Sequence, residues 1–350
     1  MIAVGVLFLL LLFAVIAHVG SNAGLSRNAL RALRWVTATE LALLIALASI
    51  GAIYEYRSRT RDHRDFPPPG KLVDLGGYRL HIQCAGPGSK PDTPTIVLDS
   101  GLVGSVLDWR RVLPELARFT RVCAYDRGGY GWSDPSPRPR TPDGITTDLH
   151  ALLEKSGEQP PYVLVGHSLG GLNMWAYANR YSDEVAGLVL VDSAYPQQLF
   201  PFPWQERARL LLVRWLLPFG LPRWRGWCGS TGRSRSEKTA IACQPRYQRH
   251  YYEQRETMPQ YMAEARKLSP PGSLPVILIS RDPQKPEAQA DTELRWQNWQ
   301  QDLRHTFSNS RSVIAEGSGH DIPDERPDIV VRAIRDVLQQ LQHSQVPKKD

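Results

Sequence analysis

The chain runs to 350 residues, 42% of them hydrophobic, with a formal net charge of +7. That is enough apolar material for one large core, so a disordered or fibrous chain is excluded, and no internal period marks a repeat protein. The basic excess sits beside apolar segments or is scattered, with no aromatic-interleaved stripe, which argues against nucleic-acid binding. Four cysteines without a CxxC pair lend no support to a zinc site, and no cofactor is expected.

In chain order, residues 1–17 carry no charged side chain and approach the length an α-helix needs to cross a hydrocarbon core. Residues 37–54 form a second apolar run with Glu40 near its start, and Arg57, Arg59, Arg61 and Arg64 follow it, where headgroup-binding charge usually sits. Two spans are expected over residues 1–65, making a multi-pass anchor with the amino terminus and the soluble domain on one side and membrane lipids as partners. A cleaved signal peptide is the alternative for the first segment, given the small residues around Ser21 to Ala23. Three arginines between the runs against four after the second leave the orientation open. The prolines of residues 66–70 hold an extended chain and mark a linker, so the soluble domain is expected from Lys71.

Residues 71–83 read as a hairpin around Gly76 and Gly77. Short β-branched apolar runs then appear at 95–99, 121–125, 162–165, 187–191, 275–280 and 312–315. Helical patterns lie at 108–119, 144–155, 169–181, 294–307 and 327–341. Such runs are buried on both faces of parallel sheets, so the expected fold class is α/β, a doubly wound and mostly parallel sheet over residues 71–342 with a polar tail at 343–350. Residues 196–271 interrupt the alternation. They are rich in tryptophan, proline and arginine and follow a strand end, where ligands bind in such sheets, so they are expected to form a helical lid.

Ser168 lies between a buried strand and an apolar helix in the pattern G-x-S-x-G, with glycines two before and two after. A serine exposed on a strained strand-to-helix turn needs small residues there for the backbones to approach. A hydroxyl is a poor nucleophile at neutral pH and needs a base. His320, in a glycine-rich loop after the last strand, is the best placed. His18 lies in the apolar segment, His305 on an exposed helical pattern, and His81 and His150 in regular elements, while His167 adjoins the serine and should point away from it. The acid that orients the imidazole is read as Asp282, just past the strand at 275–280, with Asp192 at the end of the preceding strand as the alternative. An oxyanion needs two donors, read as the backbone N–H groups of Leu169 and of Leu102 beside Gly101.

The segments LDSG, YDRGGYGWSD, GHSLGG, LVLVDSA and EGSGHDIPDERPDIV together resemble the α/β-hydrolase superfamily, in the branch with esterases, haloperoxidase-like hydrolases and proline iminopeptidases. The resemblance implies the fold, a structural role for the loop at residues 125–133, and a serine rather than an aspartate nucleophile, which sets this chain apart from epoxide hydrolases and dehalogenases. Ser100 stands where many relatives show histidine before the oxyanion glycine. The expected function is hydrolysis of a carboxylic ester, of a small molecule or a lipid, through an acyl-serine. The alternatives are an amidase or peptidase with the same residues and a non-catalytic binding scaffold. Cys84 and Cys123 are expected as core thiols, and Cys228 with Cys243 as an optional disulfide in an oxidising compartment.

Overall fold

The computed structural model describes residues 26–88, 93–228, 236–285 and 290–345. It opens with helix α1 (Arg27–Asp65), whose N-cap Ser26 accepts a hydrogen bond from Ala29 N–H at 3.3 Å. No glycine or proline interrupts residues 27–50, so the connector expected between two spans is helical from Arg27 onward. The 39 residues extend roughly 58 Å at 1.5 Å each. This helix is long and apolar enough to cross a membrane, and no residue of its most apolar stretch is buried. The first apolar segment, residues 1–17, lies outside the described residues.

The hairpin of β1 (Lys71–Asp74) and β2 (Arg79–Ala85) leads into an alternating series. It comprises β3 (Thr95–Asp99), β4 (Val122–Tyr125), α2 (Pro142–Ser156), β5 (Tyr162–His167), α3 (Leu169–Arg180), β6 (Val185–Val191), α4 (Trp204–Leu216), α5 (Pro245–Ala265), β7 (Val276–Arg281), α6 (Ala290–Thr306), β8 (Ser310–Ala315) and α7 (Pro327–Gln345). The helix expected over residues 108–119 is broken into two turns, Val106–Trp109 and Leu113–Leu116, because Pro114 starts the second. The eight strands form one sheet in the order β1-β2-β4-β3-β5-β6-β7-β8, antiparallel at β1–β2 and β2–β4 and parallel elsewhere.

Successive residues of the central strands serve opposite faces. Ile96, Leu98, Val163, Val165, Val189 and Val191 join one core with α7, while Val97, Leu164, Leu188 and Leu190 join a second with α2 and α3. Both faces are apolar and covered, which is why these strands read as unbroken hydrophobic runs. Cys84 and Cys123 stand directly opposite in the antiparallel β2–β4 register and are joined as a disulfide rather than left as core thiols. Cys228 and Cys243 form a second disulfide, within the lid.

The lid segment folds as α4, a turn at Leu221–Arg225, a short helix at Glu237–Ala242, and α5. It is not separate from α1. A Cβ on Gly51 would lie 2.2 Å from the Phe219 carbonyl oxygen, so the helix backbone touches the lid there. Arg223 pairs with Glu55 at 2.9 Å and Asp62 at 2.8 Å, and both carboxylates are buried. The linker at residues 66–70 is therefore a bend between two packed parts.

Candidate active site

Ser168 occupies the turn between β5 and α3 with φ 53° and ψ −120°, a left-handed conformation that non-glycine residues seldom adopt. The turn is anchored on both sides: Ser168 N–H donates to the Val191 carbonyl at 3.0 Å, and the Ser168 carbonyl accepts from Gly171 and Ala194 N–H at 3.0 and 2.9 Å. A Cβ on Gly166 would meet the Gly170 oxygen at 2.3 Å, and one on Gly170 the Asp99 oxygen at 2.4 Å. Those two glycines are what the sharp turn requires.

His320, reached through the loop after β8, places Nε2 3.0 Å from Ser168 Oγ, so the hydroxyl can donate to the ring. Its Nδ1 is 2.6 Å from Asp192 Oδ2. Asp192 directly follows β6, has φ 42°, and is 0% exposed. Burying a carboxylate costs several kcal/mol unless donors surround it. Here they do: besides His320, Oδ1 accepts from Arg281 N–H and Trp296 Nε1–H, each at 3.1 Å, and the Arg281 guanidinium lies 3.4 Å from Oδ2. Arg281 is itself neutralised by buried Glu293 at 2.8 Å and stacks over Trp296, whose ring edge packs against His320.

Asp282, expected as the acid, is elsewhere. It is held to the turn that leads to His320, its carboxylate accepting from Gly317 N–H at 2.7 Å and Gln284 N–H at 2.8 Å, which lowers its pKa. The reason is register. His167 of β5 is level with Val191 of β6, so the next residue, Asp192, emerges beside the serine turn. Strand β7 continues through Arg281, which pairs outward with Ala315 of β8, and carries Asp282 away from the imidazole.

His167 lines the same cavity as Ser168, with its ring 4.7 Å from that of His320, and it supports the histidine loop by donating from Nε2 to the His320 carbonyl at 2.8 Å. Burial, with His320 beside it, pushes its pKa down to about 3, so this ring is neutral.

Leu169 opens α3, so its N–H has no acceptor within the helix. Leu102 lies in the turn closed by Gly104 N–H to Gly101 carbonyl at 3.1 Å, and a Cβ on Gly101 would lie 3.4 Å from Ser168 Cβ. Sequence reasoning missed what shapes that turn. Buried Arg127 donates to the carbonyls of Ser100, Gly101 and Leu102 and pairs with Asp99, whose other oxygen accepts from Asn173 at 2.7 Å. The neighbouring Asp126 accepts from Val106 N–H, Trp132 N–H and His81 Nδ1. Because His81 Nε2 accepts from Gly70 N–H at 3.1 Å, Nδ1 carries the proton.

A cavity of about 690 Å³ covers Ser168 and His320 under the lid. Leu102, Leu210, Trp227 and Tyr247 give it an apolar wall. At its polar end Lys238 pairs with Asp108 at 3.3 Å near Asp321, and burial together with Asp108 raises the Asp321 pKa.

Residues 94–242 match the model of the alpha/beta hydrolase fold. Over this segment, a little under half of its length, the chain carries the fold of the α/β-hydrolase superfamily. It is similar to YbdG, an uncharacterised protein of Bacillus subtilis (strain 168), at 28% identity over 45% of this chain and 48% of that one. To epoxide hydrolase 4 of Homo sapiens the identity is 30% over 49% of each chain. These alignments span about half the length of each relative. Among solved structures, the enol-lactonase from Burkholderia xenovorans LB400 superposes with a TM-score of 0.57 over 77% of this chain and all of its own, at 22% identity, a likeness of fold.

Proposed function

We propose that this α/β-hydrolase is a membrane-anchored serine hydrolase that cleaves carboxylic esters through an acyl-serine intermediate. The reading is carried by the continuous hydrogen-bonded chain from Ser168 Oγ through His320 to buried Asp192 at the floor of the covered cavity. Ser168 attacks the ester carbonyl while His320 Nε2 takes its proton, and Asp192 holds the ring in the tautomer that leaves Nε2 free and stabilises the imidazolium. The developing oxyanion falls to the N–H groups of Leu169 and Leu102. His320 returns the proton to the departing alcohol, and water, activated by the same ring, releases the acid.

Epoxide opening, suggested by the name of the human relative, fits poorly with this chemistry. A serine oxygen attacking an epoxide carbon forms an ether, which offers no carbonyl for deacylation, so the enzyme would stop after one turnover. The apolar cavity wall and the exposed apolar length of α1 support an apolar or lipid-like ester as substrate and a bilayer as the location.

Incubation of the membrane fraction with a fluorophosphonate probe tests the core of this reading. Wild type should label covalently and Ser168→Ala should not, and an unlabelled wild type would return the chain to the class of binding scaffolds. A labelled enzyme that turns over amides and leaves esters intact would change the substrate assignment to amidase.

A further inference from the structure

The outer face of the lid is apolar. On α4, Trp204, Ala208, Leu212 and Trp215 fall within about 80° of arc at 100° per residue, and all are exposed, the two tryptophans by 73% and 50%. The opposite side, with Leu210 and Val213, is the one that packs inward. Exposed Arg207 and Arg209 border the stripe on its two edges. Such a helix, with aromatics and leucine on one side and arginines at the margins, suits the plane of a lipid interface.

The position of α1 fixes the depth of this face. The lid meets α1 at Gly51 and Tyr54, against Phe219 and Gly220, in the last turn of the apolar stretch. The Arg223 pairs with Glu55 and Asp62 lie about 6 and 16 Å further along the axis, on the polar side. A bilayer crossed by α1 therefore ends at the level of the lid. Trp227, exposed on the lid, also lines the cavity over Ser168, as does Arg209. The cavity opens beside the stripe.

We infer that the face of α4 bearing Trp204, Leu212 and Trp215 lies in the lipid interface and presents the mouth of the Ser168 cavity to the bilayer, so that substrate enters from the membrane. This rests on the reading of α1 as a membrane span. The occupant is lipid, because α4 runs directly into the Leu217–Phe219 turn that packs on the apolar end of α1, and its bordering arginines can reach phosphate oxygens.

The full chain is reconstituted into bilayers of phosphatidylcholine and phosphatidylglycerol with dibrominated acyl chains, which quench tryptophans they touch. Trp204→Phe/Trp215→Phe should remove a large part of the quenched emission, and Trp35→Phe, on the exposed N-terminal part of α1, a separate part. If the double variant is quenched as fully as wild type while Trp35→Phe is not, the span stands and the lid docking is overturned. If neither replacement changes the quenching, the membrane reading fails and the inference with it. A lid unaffected by brominated lipid in a chain that cross-links as a dimer would assign the face to a second copy and overturn the lipid assignment.

Discussion

Asp192 holds a buried negative charge whose donors come from three elements, β7, α6 and the histidine loop, so its carboxylate is positioned before substrate arrives. Asp192→Asn should lower ester turnover by about 10²-fold or more, because the amide can no longer stabilise the imidazolium, whereas Asp282→Asn should cost less than about tenfold. Steady-state kinetics on a short soluble ester decide between them, and the reverse ranking would place the acid on β7. His167 makes a prediction for stability. An unfolded histidine takes a proton near pH 6.5, while folded His167 does so only near 3. Between those values the unfolded chain binds more protons, so stability rises with pH. Acidification from about 6.5 towards 3 therefore withdraws up to about 1.4 kcal/mol per pH unit. His167→Gln retains a donor for the His320 carbonyl but does not titrate, so its urea midpoint should fall less between pH 7 and pH 4.5 than that of wild type. Equal falls would count against His167 as the source.

Among the elements, those whose formation depends on neighbouring residues were legible in the sequence, and those set by distant pairing were not. The serine turn could be read because its steric demand falls on Gly166 and Gly170, close in sequence. The central strands could be read because both of their faces are covered, which leaves an apolar run. The sequence reading places the acid at Asp282 rather than Asp192, since the choice depends on β7 running through Arg281 rather than ending at Ser280, and apolar pattern does not record a strand end to one residue. The Cys84–Cys123 bridge needs β2 to pair with β4 across 39 residues, which spacing alone does not reveal. The pairing of α1 with the lid also escaped notice, because Glu55 and Asp62 look like the polar end of a span. Arg223→Ala would take from those two buried carboxylates their shared cation, with Glu55 keeping its pair to Arg59 at 2.9 Å, and should cost about 1–3 kcal/mol of stability. Adding Glu55→Gln and Asp62→Asn should recover most of that loss. A melt unchanged by Arg223→Ala would show that the pair contributes nothing at this contact.

For the whole molecule, the two disulfides and the α1 contact bear on where the hydrolase domain sits and how it is held. Disulfides persist outside the reducing cytosol, so the hydrolase domain should face an oxidising compartment, and a bulky maleimide should fail to shift the chain on a gel unless it is first reduced. Labelling of all four cysteines without reductant would put the domain in the cytosol. The α1 contact predicts how truncation behaves. A chain starting at residue 66 keeps the sheet, Ser168, His320 and Asp192 but loses the α1 residues that pack on Phe219, Gly220 and Arg223. A chain starting at residue 50 retains Gly51, Tyr54, Glu55 and Asp62 while still lacking most of the apolar stretch. Local opening is governed by local packing, so amide exchange should be fast across residues 217–225 in the shorter chain and slower in the longer one, with β3, β5 and β6 equally protected in both. The shorter chain should also bind substrate less well, with KM raised more than kcat is lowered, because Trp227 and Leu210 of the cavity wall belong to the loosened lid while the Ser168 turn does not. Identical exchange in the two chains would mean that the lid keeps its fold without α1, and the helix would then act as an anchor and nothing more.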